Sequence, residues 1–298
     1  MKRLFSRRRG AGVLAAALAL VVATAAPASA AWWWPTPQPT CGTTKIYKAD
    51  GTAWRCTFAD DFTSGALDGR KWSIQQTAVT GMHVGPECLV NNGRNVSVSN
   101  GSLHLTTRKE SAPFTCKNPY GSYTTQYTSG GVTTTGKFAQ TYGRFEFRAR
   151  FPGLKVPGLQ SALWLYPATQ KYGGWPASGE IDVAEFYSQY PDRSIPRIHY
   201  NTATTDSPLT SWSCKLDPAV FHTYAVEWTP KTITIMYDGV PCVVHTINPA
   251  APLTGSAPFD QPFGVLMTQV LGTGTNAFSP TATPLPATTD VDWVRVWS

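Results

Sequence analysis

Apolar and polar residues alternate strictly through GRFEFRARF. Phe145, Phe147, Ala149 and Phe151 fall on one parity, and Arg144, Glu146, Arg148 and Arg150 on the other. A period of two predicts a strand with one face in a core and one in water. Similar short stretches recur from Asp60 onward. NVSVSNGSLHLTTR predicts a strand, a tight turn at Asn100-Gly101 and a return strand, and TITIMYDGVPCVVH a second hairpin about Asp238-Gly239. LQSALWLYP, PFGVLMTQV and VDWVRVW complete the set. Gly (25) and Pro (24) punctuate the chain, no amphipathic helix of useful length is visible, and no internal repeat stands out. Many short strands and few helices predict an all-β, two-sheet antiparallel sandwich.

One stretch breaks the alternation. In Gly179-Glu180-Ile181-Asp182-Val183-Ala184-Glu185-Phe186, three carboxylates sit among apolar residues suited to a packed sheet. Glu180 and Asp182 share a face of a flat strand, but Glu185 has the wrong parity and would enter the core. A buried, unpaired carboxylate is costly. A β-bulge at Val183-Ala184 adds one residue and restores the parity, so that Glu180, Asp182 and Glu185 line one face.

Carboxylates in that arrangement suit glycoside hydrolysis, which needs two of them flanking the scissile bond. A gap of about 5–5.5 Å gives retention and about 6.5–9.5 Å inversion. Glu180 and Glu185 are about four pleat steps apart, ~13 Å between Cα atoms. Side chains leaning together across a curved strand close much of that gap, which favours retention. Crowding also raises one carboxyl pKa, leaving a proton available near neutral pH.

Composition narrows the setting. Lys2, Arg3, Arg7, Arg8 and Arg9, the apolar run Ala11 to Ala26 and Ala28-Ser29-Ala30 read as a secretory signal over residues 1–30. No other stretch is long and apolar enough to cross a bilayer. The signal holds five of the 25 basic residues and none of the 18 acidic ones, so the net charge falls from +7 to +2 once it is removed. That excludes nucleic-acid binding as an inference from charge. Residues 31–56 form a leader with Trp32, Trp33 and Trp34 followed by a small loop, and residues 57–298 one domain. The six cysteines follow the signal, in an export context that favours disulfides. Nearest-neighbour pairing, one of several connectivities, gives Cys41–Cys56, Cys88–Cys116 and Cys214–Cys242. None has the spacing of a zinc site.

WPASGEIDVAEF resembles the signature of glycoside hydrolase family 16 in its bulged, laminarinase-like form. YTSGGVTTTGKFAQTYGRFEFRARFP, FHTYAVEWTP, YDGVP and VDWVRVW resemble other strands of that family in the same order, from about Asp60 to the C-terminus. The resemblance implies a concanavalin-like jelly roll with the acidic strand on a concave face. It implies Glu180 as nucleophile, Glu185 as general acid/base and Asp182 as the group that tunes them. It also implies Trp175 as a wall of the sugar site, an indole face being suited to a pyranose ring. Trp164, His199, Gln269, Asn95 and Arg144 are further substrate-binding candidates, with His199 set to reach substrate or Glu185. No cofactor is required for catalysis. A structural calcium is implied at Asp61 and Asp292, whose hard oxygens suit that ion.

The chain departs from the laminarinase pattern at three places. Gln160-Ser161-Ala162 replaces WPA, Gly131 replaces an arginine, and Thr268 stands at an asparagine position. The expectation is a secreted, extracellular, monomeric endo-glycosidase of retaining type. Its substrate is a β-linked polysaccharide, β-1,3-glucan first, with no nucleic-acid or membrane partner. Alternatives are the same chemistry on a galactan, transglycosylation, or a non-catalytic lectin-like wall protein.

Overall fold

A computed structural model of the protein describes residues 39–298; the expected signal peptide and the leader tryptophans lie outside the described residues. The chain runs through β1 (Cys56–Asp60), β2 (Ser73–Ile74), β3 (Cys88–Leu89), β4 (Val96–Ser99), β5 (Ser102–Cys116), β6 (Tyr123–Thr133), β7 (Gly143–Arg150) and β8 (Leu159–Pro167). It continues through β9 (Glu180–Tyr187), β10 (Ile195–His199), β11 (His222–Trp228), β12 (Thr232–Tyr237), β13 (Val240–Thr246), β14 (Phe263–Leu271) and β15 (Ala287–Trp297). Among the described residues, helix is limited to Thr77–Thr80 and a 3-10 turn at Gly274–Asn276. Both expected hairpin turns form. Asn100-Gly101 and Asp238-Gly239 have φ of 51° and 72°, and of 49° and 79°, the left-handed pair that matches strand twist in a two-residue hairpin.

The strands follow one hydrogen-bonded path, β10-β9-β8-β14-β6-β5-β15-β7-β11-β12-β13, antiparallel along its length. The two expected sheets are therefore layers of a single folded sheet. The fold line is the β5–β6 pair. Residues 103–107 of β5 pair with β15 in the back layer, while Gly130–Thr133 of β6 pair with β14 in the front layer. Leu163, Leu165, Ile181, Val183, Ala184, Phe186, Val265 and Met267 of the front layer pack in one core with Phe145, Phe147, Tyr224, Val226, Ile235 and Val294 of the back layer. The Phe151 and Phe186 rings stack across the layers, 5.6 Å apart and 2° from parallel.

The bulge lies where the parity of the sequence requires it. Across β8 and β9, Leu163 faces Ala184 but Trp164 faces Asp182, which leaves Val183 without an opposite residue. The register with β10 shifts at the same place, where Ile195 faces Glu185 and Arg197 faces Asp182. Such a residue disrupts the ladder locally. Here Tyr237 Oη, on β12 of the back layer, donates to the Val183 carbonyl at 3.1 Å. Cys41–Cys56, Cys88–Cys116 and Cys214–Cys242 are all bridged as nearest neighbours.

Tyr237→Phe removes the hydroxyl that meets the bulge carbonyl in a buried layer. A loss of about 1–3 kcal/mol is expected, read as a shift of the denaturation midpoint in guanidinium. An unshifted midpoint would show that the bulge does not depend on this contact.

Candidate active site

With the bulge in place, Ile181, Val183, Ala184 and Phe186 enter the core, while Glu180, Asp182, Glu185 and Tyr187 share the opposite face of β9. Neighbouring strands add to this face by cross-strand pairing. On β10, His199 lies opposite Glu180 and Arg197 opposite Asp182. On β8, Trp164 lies opposite Asp182, Ala162 opposite Glu185 and Gln160 opposite Tyr187. Further across the sheet, Thr268 of β14 faces Ala162 and Gly131 of β6 faces Thr268. One row thus passes from Glu185 through small residues toward β6. Gln75 closes it, because a Cβ added to Gly131 would lie 2.5 Å from Gln75 Oε1. A side chain at position 131 would require Gln75 to move.

Each carboxylate has its own surroundings. His199 Nε2 stands 3.1 Å from Asp182 Oδ2 and 3.8 Å from Glu180 Oε1. Glu185 Oε1 accepts from Tyr187 Oη at 2.5 Å and from Gln160 Nε2 at 2.9 Å. Arg197 Nε approaches Glu185 Oε2 to 2.9 Å, but its N–H is not aimed at the oxygen, so both atoms keep an unused hydrogen bond. Burial, reinforced by the charge of Asp182, pushes the Glu180 carboxyl up to about 8. Burial and the neighbouring Glu185 raise Asp182 well above the usual carboxylate range, against the pull of Arg197. Burial and Glu185 also raise the Tyr187 phenol, which keeps it a donor. A row of three carboxylates with one guanidinium and one imidazole therefore retains a proton at neutral pH.

Trp164 and Trp175 border this row. Trp164 keeps a buried indole N–H without a partner. Trp175 is 58% exposed, and its ring lies 5.4 Å from that of His199. His199 sits between Glu180 and Asp182 rather than at Glu185, where Arg197 stands instead.

Three expected substrate contacts are corrected. Arg144 is bound to Glu146 and Glu227 on the outer face of the back layer, because β7 packs behind the core and its charged parity faces away from it. Gln269 shares the parity of the core residues Val265 and Met267. It is fully buried between the layers, where its Oε1 accepts from Ser161 Oγ at 2.6 Å and Thr289 Oγ1 at 2.8 Å. Asn95 is also fully buried, and its amide donates to the Thr106 carbonyl at 2.8 Å and to Thr128 Oγ1 at 3.1 Å.

The calcium ligands do not assemble either. An arginine faces each carboxylate: Arg295 lies 3.1 Å from Asp61, and Arg148 lies 2.5 Å from Asp292. These are ion pairs, without the oxygen cage that calcium needs. Among the described residues, Glu180, Asp182 and His199 form the one group of three or more His, Cys, Asp or Glu side chains whose donor atoms lie within 4.8 Å of one another. A cation held there would occupy the carboxylates themselves.

Gln160, Tyr187 and Arg197 were not singled out from the sequence, although a signal for each existed. Gln160 has the parity of Trp164, Tyr187 that of Glu185 beyond the bulge, and Arg197 that of His199.

A carboxyl raised from 4.5 to about 8 in the folded state binds its proton more tightly there than in the unfolded chain. Its stabilising contribution is complete below pH 4.5 and is lost as the pH rises through about 8. Glu180→Gln removes this dependence. Its melting temperature should match that of the wild type at pH 4 and exceed it increasingly toward pH 8. An offset independent of pH would contradict the raised pKa.

Comparison with known proteins agrees with the geometry. The sequence model of glycosyl hydrolases family 16 matches residues 87–295. A β-glucanase of Rhodothermus marinus is 34% identical over 263 residues, covering 82% of this chain and 85% of that protein. The glucan endo-1,3-β-glucosidase A1 of Niallia circulans is 30% identical over 261 residues, covering 80% of this chain but 37% of the relative. The X-ray structure of the laminarinase from Rhodothermus marinus superposes with a TM-score of 0.67 at 30% identity, covering 82% of this chain and 97% of that one. The bulged acidic strand and both layers of the sheet lie within the matched region, and the chain belongs to glycosyl hydrolases family 16.

Proposed function

We propose that this family 16 glycoside hydrolase is a secreted, retaining endo-glycosidase whose substrate is a β-1,3-linked glucan. The observation that carries the proposal is the single extra residue in β9, by which Glu180, Asp182 and Glu185 come to one face with Asp182 between the glutamates. The names of the relatives favour a β-glucan. The three disulfides suit an exported protein.

In this mechanism a Glu180 oxygen attacks the anomeric carbon while Glu185 transfers its proton to the departing glycosidic oxygen. The carbon–oxygen bond breaks and a glycosyl ester forms on Glu180. Glu185, now a carboxylate, takes a proton from water. That water attacks the same carbon, the ester breaks, and two inversions leave the configuration retained. Before the first step Glu180 must be ionised and Glu185 protonated. Burial holds a proton at the Glu180–Asp182 end of the row. A sugar over Glu180 presents a carbon that gains positive character in the transition state, which favours the Glu180 anion. Asp182 is the neighbour through which the proton passes toward Glu185. Gln160, Tyr187 and Arg197 keep the Glu185 carboxylate in place for both halves of the reaction. Trp164 and Trp175 border the ring that Glu180 attacks.

The test is a reducing-sugar assay on β-1,3-glucan, mixed-linkage β-glucan, cellulose and galactan, with NMR of the first anomer released. Turnover of β-1,3-glucan with the β-anomer formed first is expected, and loss of turnover in Glu180→Gln. Galactan turnover alone would reassign the substrate, α-anomer first would refute retention, and a fully active Glu180→Gln would refute the nucleophile.

Asp182→Asn removes the charge that raises Glu180, so the Glu180 pKa falls. The acid limb of kcat/KM, which requires ionised Glu180, should move to lower pH. Because the proton path is also cut, kcat should fall by roughly a hundredfold. An acid limb that stays in place or moves upward would remove Asp182 from this role.

A further inference from the structure

Beyond β10 the sheet gains an irregular edge. Ile198 N donates to the Leu209 carbonyl at 2.8 Å, Thr210 Oγ1 donates to the Pro196 carbonyl at 2.8 Å, and Arg197 bridges to Thr210. The segment is held at its far end by the Cys214–Cys242 disulfide. It carries Trp212, which is 43% exposed. Arg193 Nη1 donates to the Trp212 carbonyl at 2.7 Å, fixing the backbone that presents the indole.

Trp212 has an aromatic partner and a link to the catalytic row. Its ring meets that of Tyr190 edge to face, with centroids 5.3 Å apart and planes at 82°. The Arg197 guanidinium lies over the indole, 5.4 Å from its centroid, while Arg197 Nε stands 2.9 Å from Glu185 Oε2. Tyr190 is tied to the same neighbourhood, because its N–H donates to the Tyr187 carbonyl at 2.7 Å and Tyr187 Oη donates to Glu185. Both rings are therefore one residue removed from the contacts of Glu185.

We propose that Trp212 and Tyr190 form a binding platform for sugar units on the leaving-group side of the scissile bond. The side follows from the assignment of Glu185 as the group that protonates the departing oxygen, so the inference rests on the proposed function. The ligand class follows from the surface. An exposed indole beside a phenol suits the C–H face of a pyranose. Beside the rings, Asp192 pairs with both Arg193 at 2.7 Å and Lys215 at 3.5 Å, so the ligand class rests on the aromatic surface. A segment bridged to β10 and closed by a disulfide holds the platform in place before substrate arrives, which limits the ordering cost of binding.

The experiment compares wild type, Trp212→Ala and Trp212→Phe on a ladder of β-1,3-linked glucose oligomers. Cleavage runs in 18O-water so that each broken bond is identified by mass. Trp212→Ala should lower kcat/KM about tenfold on oligomers that extend past the scissile bond, and cleavage should shift toward the reducing end. The loss should be smaller on an aryl glycoside, whose leaving group does not reach Trp212, and Trp212→Phe should retain most of the wild-type pattern. An unchanged bond pattern, or equal losses on oligomers and aryl glycoside, would overturn the platform. Affinity electrophoresis in soluble β-1,3-glucan separates this from the catalytic assignment. In a Glu180→Gln background, Trp212→Ala should weaken retardation by a similar factor. Glucan binding lost with Trp212 but without turnover in the wild type would sink the proposed function and keep the platform. Turnover with retardation unaffected by Trp212→Ala would do the reverse.

Discussion

One surplus residue in β9 sets the active face of this protein. Without it, Glu185 would point into the layer that holds Val183, Ala184 and Phe186, where an unpaired carboxylate is strongly unfavourable. With it, Val183 lacks an opposite residue, and the resulting gap in the ladder lies inside the core. A tyrosine from the other layer supplies the hydrogen bond there. The acidic face thus depends on a contact made through the interior, from β12 of the back layer. Buried carbonyls are rarely left unpaired, so bulge and tyrosine are best regarded as one device.

The face that results is electrostatically strained. Three carboxylates share little water, one arginine and one histidine. Desolvation is the largest influence on both Glu180 and Asp182, and mutual repulsion adds to it. Glu185 differs from them in having two donors on one oxygen and a guanidinium beside the other. Two glutamates on one strand therefore meet different surroundings. The strain lowers stability at neutral pH and holds a proton at the Glu180–Asp182 end of the row.

The departures from the laminarinase pattern acquire a physical sense around this row. Gln160, which departs from the WPA of the laminarinase pattern, donates to Glu185. Gly131, where that pattern has an arginine, yields its space to Gln75. Aromatic surface is present at the opposite edge, where Trp212 and Tyr190 flank Arg197.

Local rules were sufficient for much of this. Alternation identified the strands, Asn-Gly and Asp-Gly the hairpins, and the wrong parity of Glu185 required a bulge, because each depends only on residues adjacent in the chain. Parity also distinguishes the two faces of a strand, but it does not say which layer the strand joins or which face opens on the cleft. Arg144 was misplaced for that reason: its strand packs in the back layer, so its outward face is far from Glu180. Gln269 was misplaced because its strand was expected to line the cleft, whereas its parity matches Met267 and its amide is used between the layers. The carboxylate row and its need for an extra residue were determined by the sequence. The tyrosine that holds that residue and the aromatic pair near Glu185 were decided only by tertiary structure, because each contact joins segments that sequence spacing cannot bring together.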